Sequence, residues 1–159
     1  MGIYNDKHRL FQDYVKELNT FAAPEDAVSE SDCAAKCESY ISSADCTWKN
    51  IFAPDTGELV GFLIYGKTGV VKHPDADRSI EEAYVAPKYR RQGLMSDVVK
   101  DYETRHKCRY NLIVQKGNDY AKGYWERLFE QMGYGPIELD ETYIGGREDV
   151  LLMGFAPVK

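Results

Sequence analysis

Apolar positions recur along this chain in two periods, one of about two residues and one of three to four, and the alternation between them sets out the elements. Leu59-Val60-Gly61-Phe62-Leu63-Ile64-Tyr65 is the longest apolar run; it has strand length and turn residues ahead of it, which predicts a buried strand over 58–65. A partner strand over 47–53 leads into it through Pro54-Asp55-Thr56-Gly57, where Pro and Gly supply the dihedrals of a tight antiparallel turn. Further strands are predicted over 80–85, 110–114, near 136–140 and over 150–155, and residues 1–4 read as a short opening strand. The helical period begins after Asn5 or Asp6, either of which can cap a helix with Leu10, Tyr14, Val15 and Leu18 on one face. Ser29 or Ser31 opens a second helix through Cys33, Cys37 and Ile41. A third runs over 94–106 with Leu94, Val98, Val99 and Tyr102 inward, and a fourth over 118–132 with Ala121, Trp125, Leu128 and Met132 inward. Residues 22–28, around Pro24, and 66–78 read as loops, and there is no repeat, low-complexity segment or linker.

Length and composition add a single domain, 1–159: 159 residues with 43% hydrophobic can bury one sizeable core. The apolar runs are too short to cross a bilayer, and no basic-then-apolar leader precedes Asp6, so the expected location is cytoplasmic. With 26 acidic against 20 basic residues the net charge of −6 gives no overall pull toward nucleic acid or a membrane. The acidic balance leans toward a cationic amine as substrate, and it is also how ordinary domains stay soluble. A homodimer is one assembly the sequence allows. Cys33 and Cys37 are four apart and would share a helix face, but no third Cys or His stands at zinc-finger spacing. Small buried residues are the reading, with no structural disulfide and no metal expected.

The chemistry concentrates in 79–102, where a strand, a Pro, a basic Gly-bearing turn and a helical pattern follow without a gap. Such a turn points backbone N–H groups outward at the positive end of a helix dipole, a site for phosphate. It has neither the Lys-Ser/Thr ending of a Walker loop nor the three glycines of a dinucleotide turn. Ala83-Tyr84-Val85-Ala86-Pro87-Lys88-Tyr89-Arg90-Arg91-Gln92-Gly93-Leu94 resembles instead the acetyl-CoA loop of the GCN5-related N-acetyltransferase (GNAT) superfamily, which reads Arg or Gln, two residues, Gly, one residue, then Gly or Ala. Arg90 and Gly93 match; Met95 stands where the family has Gly or Ala and adds bulk near the pyrophosphate. A second segment at suitable distance resembles the family's other cofactor element: Asn118 after a strand, Ala121 three residues on, an aromatic pair, and a closing Gly133-Tyr134. Here the family's Tyr falls on Trp125 with Tyr124 just before it, and the helix is about one turn longer than usual. The two segments cover roughly a third of the chain.

The resemblance implies an α/β fold with a mixed, mostly antiparallel central sheet and helices on both faces. In it the strands ending near Val85 and beginning near Leu112 splay apart and the pantetheine arm fills the gap. It implies acetyl-CoA contacts at Tyr84, Val85, Arg90, Arg91, Gln92, Gly93, Leu94, Met95, Ser96, Asn118, Ala121 and Tyr124. The expected activity is acetyl transfer from acetyl-CoA to a primary amine of a small molecule or peptide; an acyl-CoA sensor or scaffold without turnover is the alternative, motivated by the displaced Tyr. A toxin-type enzyme acting on aminoacyl-tRNA is disfavoured by the acidic balance.

Alkyl amines are protonated at neutral pH, Lys near pKa ~10.4, so a base must take a proton before nitrogen attacks. Glu81 and Glu82 are the candidates; by strand alternation they point to opposite faces, so one faces substrate and the other packs or pairs. Either can equally be an ordinary salt-bridged carboxylate. A backbone N–H near Val85 would serve the oxyanion. Tyr124 is the candidate acid for the departing thiolate, with Tyr120 and Tyr134 as substitutes, and Trp125 is read as packing.

Overall fold

The computed structural model describes residues 2–67 and 72–158. One six-stranded sheet has the order β1-β2-β3-β4-β6-β5, with β1 at Cys46–Phe52, β2 at Leu59–Gly66, β3 at Arg78–Val85, β4 at Tyr110–Gln115, β5 at Tyr134–Ile137 and β6 at Val150–Pro157. Among the described residues four helices accompany it: α1 Ile3–Asn19, α2 Glu30–Ser42, α3 Leu94–Arg105 and α4 Asp119–Gln131. The sheet is mixed and mostly antiparallel, as expected: β6 pairs antiparallel with both β4 and β5, and β3 pairs parallel with β4.

The opening strand is a correction. Residues 3 and 4 belong to α1, which starts at Ile3. Tyr4 donates its hydroxyl to Glu38 on α2 at 2.6 Å and His8 reaches the same carboxylate at 3.1 Å. One helical turn apart, they meet one carboxylate, which two residues about 13 Å from each other along an extended strand could not both do. Met1 and residues 68–71, part of the predicted polar loop, lie outside the described residues. The other boundaries fall within a few residues of expectation, which is where hydrophobic period is least informative.

The chain divides into two compact units, Met1–Ile64 with Glu82–Val99, and Tyr65–Glu81 with Lys100–Lys159. In the first, Ser29 caps α2 by accepting from Asp32 N–H at 3.2 Å, and the predicted turn closes with Gly57 N–H on the Ala53 carbonyl at 2.8 Å. Its core joins Leu10, Phe11 and Val15 of α1 to Cys33 and Cys37 of α2 and to Leu59, Phe62, Ile64 and Tyr84. Phe62 is the hub, with ring centroids 5.7 Å from Phe11 and 4.9 Å from Trp48. A second cluster, Ile51, Ala53, Val60 and Val85, receives Tyr89, Leu94, Met95 and Val98. The start of α3 is therefore seated by hydrophobic burial as well as by its loop.

The second unit has an aromatic core. Tyr65 stacks on Tyr102 at 3.6 Å between centroids, and Phe129 of α4 stacks on Phe155 of β6 at 4.2 Å. The predicted inward residues Trp125 and Leu128 are buried, joined by Phe129. The β3–β4 ladder is three pairs long, Arg78 with Tyr110, Ser79 with Asn111 and Ile80 with Leu112. β4 pairs along its whole length with β6, so its ladder with β3 is the shorter of the two.

Candidate active site

In the first unit β3 ends at Val85 and the chain turns through a 3-10 turn at Pro87–Tyr89 into the basic loop. Arg91 has φ 65°, the one non-glycine positive φ among the described residues, and Gly93 has φ 76°. Two left-handed residues flanking Gln92 wind the loop tightly, and Gly93 tolerates this because it lacks a Cβ. Arg91 holds the same backbone sign at a cost of about 1–2 kcal/mol, the kind of strain found at ligand clamps. Gly93 carbonyl accepts from Asp97 N–H at 3.0 Å, opening α3. Lys88, Arg91, Gln92 and Gly93 are exposed there.

Arg90 departs from expectation. Its Nε donates to the Val85 carbonyl at 2.7 Å, its Nη2 meets Glu17 Oε2 at 2.6 Å, and its guanidinium lies 5.4 Å from the Tyr84 ring. A planar fork held at two points braces the loop against β3 and α1. Its charge is balanced by Glu17, so Arg91 and Lys88 are the loop's exposed cations. Met95, expected to crowd the pyrophosphate, packs instead against the Ile51–Val60 cluster. The Tyr84 ring is buried in the α1–α2 core, leaving its backbone as the part available to a ligand. Leu94 and Ser96 are half-buried at the first turn of α3.

Glu82 is buried, 8% exposed, with Lys36 Nζ 3.6 Å from Oε1. Tyr14 faces it too: burial, then the Glu82 charge, push that phenol well up. Lys36 and Tyr14 come from α2 and α1, so Glu82 is built into the first unit's interior.

Glu81 belongs to the second unit and has different surroundings. It directly follows the last β3–β4 pair, and Ser79 Oγ donates to its Oε1 at 2.8 Å. A Cβ at Gly66 would overlap that same oxygen and come within 3.0 Å of Ser79 Oγ, so the glycine leaves room for the carboxylate. Burial, then the Glu81 charge, raises the Tyr143 phenol. Also in this unit, Asn118 caps α4 by accepting from Ala121 N–H at 3.2 Å, and half-buried Tyr124 meets Trp125 edge-on at 5.3 Å. Tyr134 is buried and donates to Glu103 at 3.0 Å. That removes it as a substitute acid, whereas Tyr120 is open to solvent, 56% exposed.

Sequence reasoning passed over Ser79, Asn111, His73 and Tyr143, which surround Glu81 or connect to it. A polar Asn inside the apolar run 110–114 was the available signal; a buried polar group demands partners. All four cysteines are free. Burial and the neighbouring Cys33 hold the Cys37 thiol up at about 12, and burial raises Cys33, which suits inert packing. Among the described residues no group of three or more His, Cys, Asp or Glu could hold a metal, and no helix is long and apolar enough to cross a membrane.

The chain belongs to the acetyltransferase (GNAT) family, whose model matches residues 9–133. Solved structures share the fold at low identity. An acetyltransferase from Thermus thermophilus aligns with TM-score 0.63 and 15% identity over 92% of this chain and 86% of that one. The PaiA N-acetyltransferase from Thermoplasma acidophilum, in complex with coenzyme A, aligns with TM-score 0.58 and 13% identity over 94% and 92%. Tetrahymena GCN5 aligns with TM-score 0.59 and 9% identity over 95% and 86%. A search of curated proteins gives no match.

Proposed function

We propose that this chain, as one domain, is an acetyl-CoA-dependent N-acetyltransferase acting on a primary amine of a small molecule or peptide. The observation that carries the reading is the loop Arg91-Gln92-Gly93, wound by two positive φ angles directly before α3. Backbone N–H groups gathered at a helix N-terminus suit a pyrophosphate, and the Thermoplasma relative of the same fold was solved with coenzyme A. By the family resemblance Asn118, Ala121 and Tyr124 would serve the same cofactor. Arg90 serves it indirectly, by bracing the loop.

Glu81 is the base we favour, because it stands just beyond the last β3–β4 pair, whereas Glu82 is engaged by Lys36 and Tyr14. Glu81 takes a proton from the ammonium, the freed lone pair attacks the thioester carbonyl carbon, and a backbone N–H near Val85 steadies the oxyanion. Collapse of the intermediate breaks the C–S bond. The second nitrogen proton passes to water as the amide forms, and coenzyme A leaves as a thiol, its sulfur protonated by water or by Tyr124, which regains a proton from water.

Two measurements test this. Calorimetry should show coenzyme A binding well below millimolar, with Gly93→Asp abolishing it by setting a negative charge where phosphate would sit. Free thiol should accumulate from acetyl-CoA faster when a suitable amine is present, with the acetylated amine seen by mass spectrometry. Tight binding without thiol release across broad amine classes would favour the sensor, and absence of binding would end both readings.

A further inference from the structure

The structure points to a positioning role for His73: we propose that it latches the 3-10 turn Glu141–Ile144, and with it the Tyr143 ring packed against its own, to the path of contacts that ends on Glu81, so that Tyr143 forms the wall against which the acceptor amine is placed. This rests on the acetyltransferase reading of Glu81.

His73 is 2% exposed, yet it lies in no strand or helix. Both ring nitrogens are used. Asp75 N–H donates to Nδ1 at 2.9 Å, and Nε2 lies 3.2 Å from the Asp140 carbonyl. A backbone N–H can only donate and a carbonyl can only accept, so with Nδ1 accepting from Asp75 the proton that suits the Asp140 carbonyl is one on Nε2; the Asp75 carboxylate also lies 4.0 Å from Nδ1. The backbone N–H of His73 in turn donates to Asn111 Oδ1 at 2.9 Å. Asn111 and Ser79 pair across β3 and β4, both at 0% exposure, and Ser79 holds Glu81. One continuous path thus runs from Glu81 through Ser79, Asn111 and His73 to Asp140, whose own side chain caps the turn by accepting from Thr142 N–H at 2.9 Å. The His73 ring also meets Tyr143 edge-on, 5.0 Å between centroids. All of these residues belong to the second unit.

The turn lies between β5 and β6, where a loop without such a tie would sample many conformations. A buried ring bonded on both sides ties it down, and the Asp140 carbonyl, which also accepts from Tyr143 N–H at 3.3 Å, joins the His73 ring directly to the backbone of the turn. What the latch delivers is the place of the half-buried Tyr143 ring, 5.0 Å from that of His73, relative to the path that leads to the residue that deprotonates the amine.

His73→Asn keeps an acceptor near Nδ1 and loses the reach to Asp140; His73→Gln does the reverse. With butylamine, lysine and spermidine as probe amines, His73→Asn should raise KM for the amine about tenfold while leaving KM for acetyl-CoA and coenzyme A affinity near wild type, and His73→Gln should recover part of the loss. Amide exchange over residues 140–145 should quicken in His73→Asn. A purely structural role would lower kcat and both KM values together and show no recovery in His73→Gln, which would overturn the proposal, as would unchanged exchange. Should both His73 variants fail to fold, Tyr143→Ala decides: amine KM must rise about as much, and an unchanged value sinks the wall. Wild-type protein that binds coenzyme A but acetylates no probe counts against the function proposed for Glu81 and so against the wall, while the exchange measurement still reports on the latch alone.

Discussion

Arg91 and the two adjacent glutamates show how much single positions decide. A left-handed backbone costs a residue with a Cβ about 1–2 kcal/mol, and glycine gives back about 0.5–1 kcal/mol of that through its freedom in the unfolded chain. Arg91→Gly should therefore match or exceed the wild type in stability by up to about 1 kcal/mol and Arg91→Ala should not, while both weaken coenzyme A binding alike, in a salt-dependent way. Urea midpoints and calorimetry separate the two effects; a Gly variant less stable than the Ala variant would place the loop's strain elsewhere. For the carboxylates, Glu81→Gln should lower the rate by roughly 10²–10⁴ at neutral pH. The deficit should narrow as pH rises toward the amine's own pKa, where substrate arrives deprotonated. Glu82→Gln should leave most of the rate and instead cost about 1–2 kcal/mol of stability, discounted because its partner Lys36 is 44% exposed. Pre-steady-state rates beside urea titrations of both variants would expose the opposite assignment.

At the scale of the element, β2 contributes to the chemistry through an absence. Gly66 ends this strand, and the space where its side chain would be holds Glu81 Oε1. The carboxylate is the far end of a flexible side chain, so a methyl group there displaces it at small cost in stability. Gly66→Ala should cut turnover about tenfold or more with coenzyme A affinity and urea midpoint nearly unchanged, since a misplaced base loses rate before it loses fold. Equal turnover in the two proteins would show that Glu81 works from another rotamer or does not work at all. The start of α3 follows the same logic with opposite means, because Leu94, Met95 and Val98 bury apolar surface to seat a helix end whose loop is strained.

For the molecule as a whole, tyrosines tie stability to alkaline pH. Burial raises the phenols of Tyr14, Tyr65, Tyr110 and Tyr134 above their ordinary value near 10, with the neighbouring Glu82 and Glu103 adding to Tyr14 and Tyr134. Each folded-state pKa lies above its unfolded value, so the stabilisation is fully present below about pH 10 and is lost as pH rises through the folded values, because the unfolded chain ionises first. Urea midpoints should hold steady up to about pH 9 and then fall steeply, with tyrosinate absorbance at 295 nm rising together with unfolding. Tyrosinate appearing well before the loss of structure would mean that these rings are reached by solvent in the native state.

The period of apolar residues was enough to place the four helices and six strands, because burial of one face is written locally in each segment. The loop before α3 was also legible, since its Gly, its basic residues and its position after a strand are neighbours in the chain. The first turn of α1 was not: Ile3 and Tyr4 have strand-forming side chains, and the Glu38 that Tyr4 and His8 both reach comes from α2, 34 residues from Tyr4. Nor could the sequence say that Arg90 is occupied by Glu17, 73 residues away, or that Glu82 is paired with Lys36 while Glu81 rests on Ser79 over Gly66. Two adjacent carboxylates are alike in one dimension. They acquire different surroundings only when tertiary packing sets other elements against them, since partners distant in sequence leave no local pattern to read.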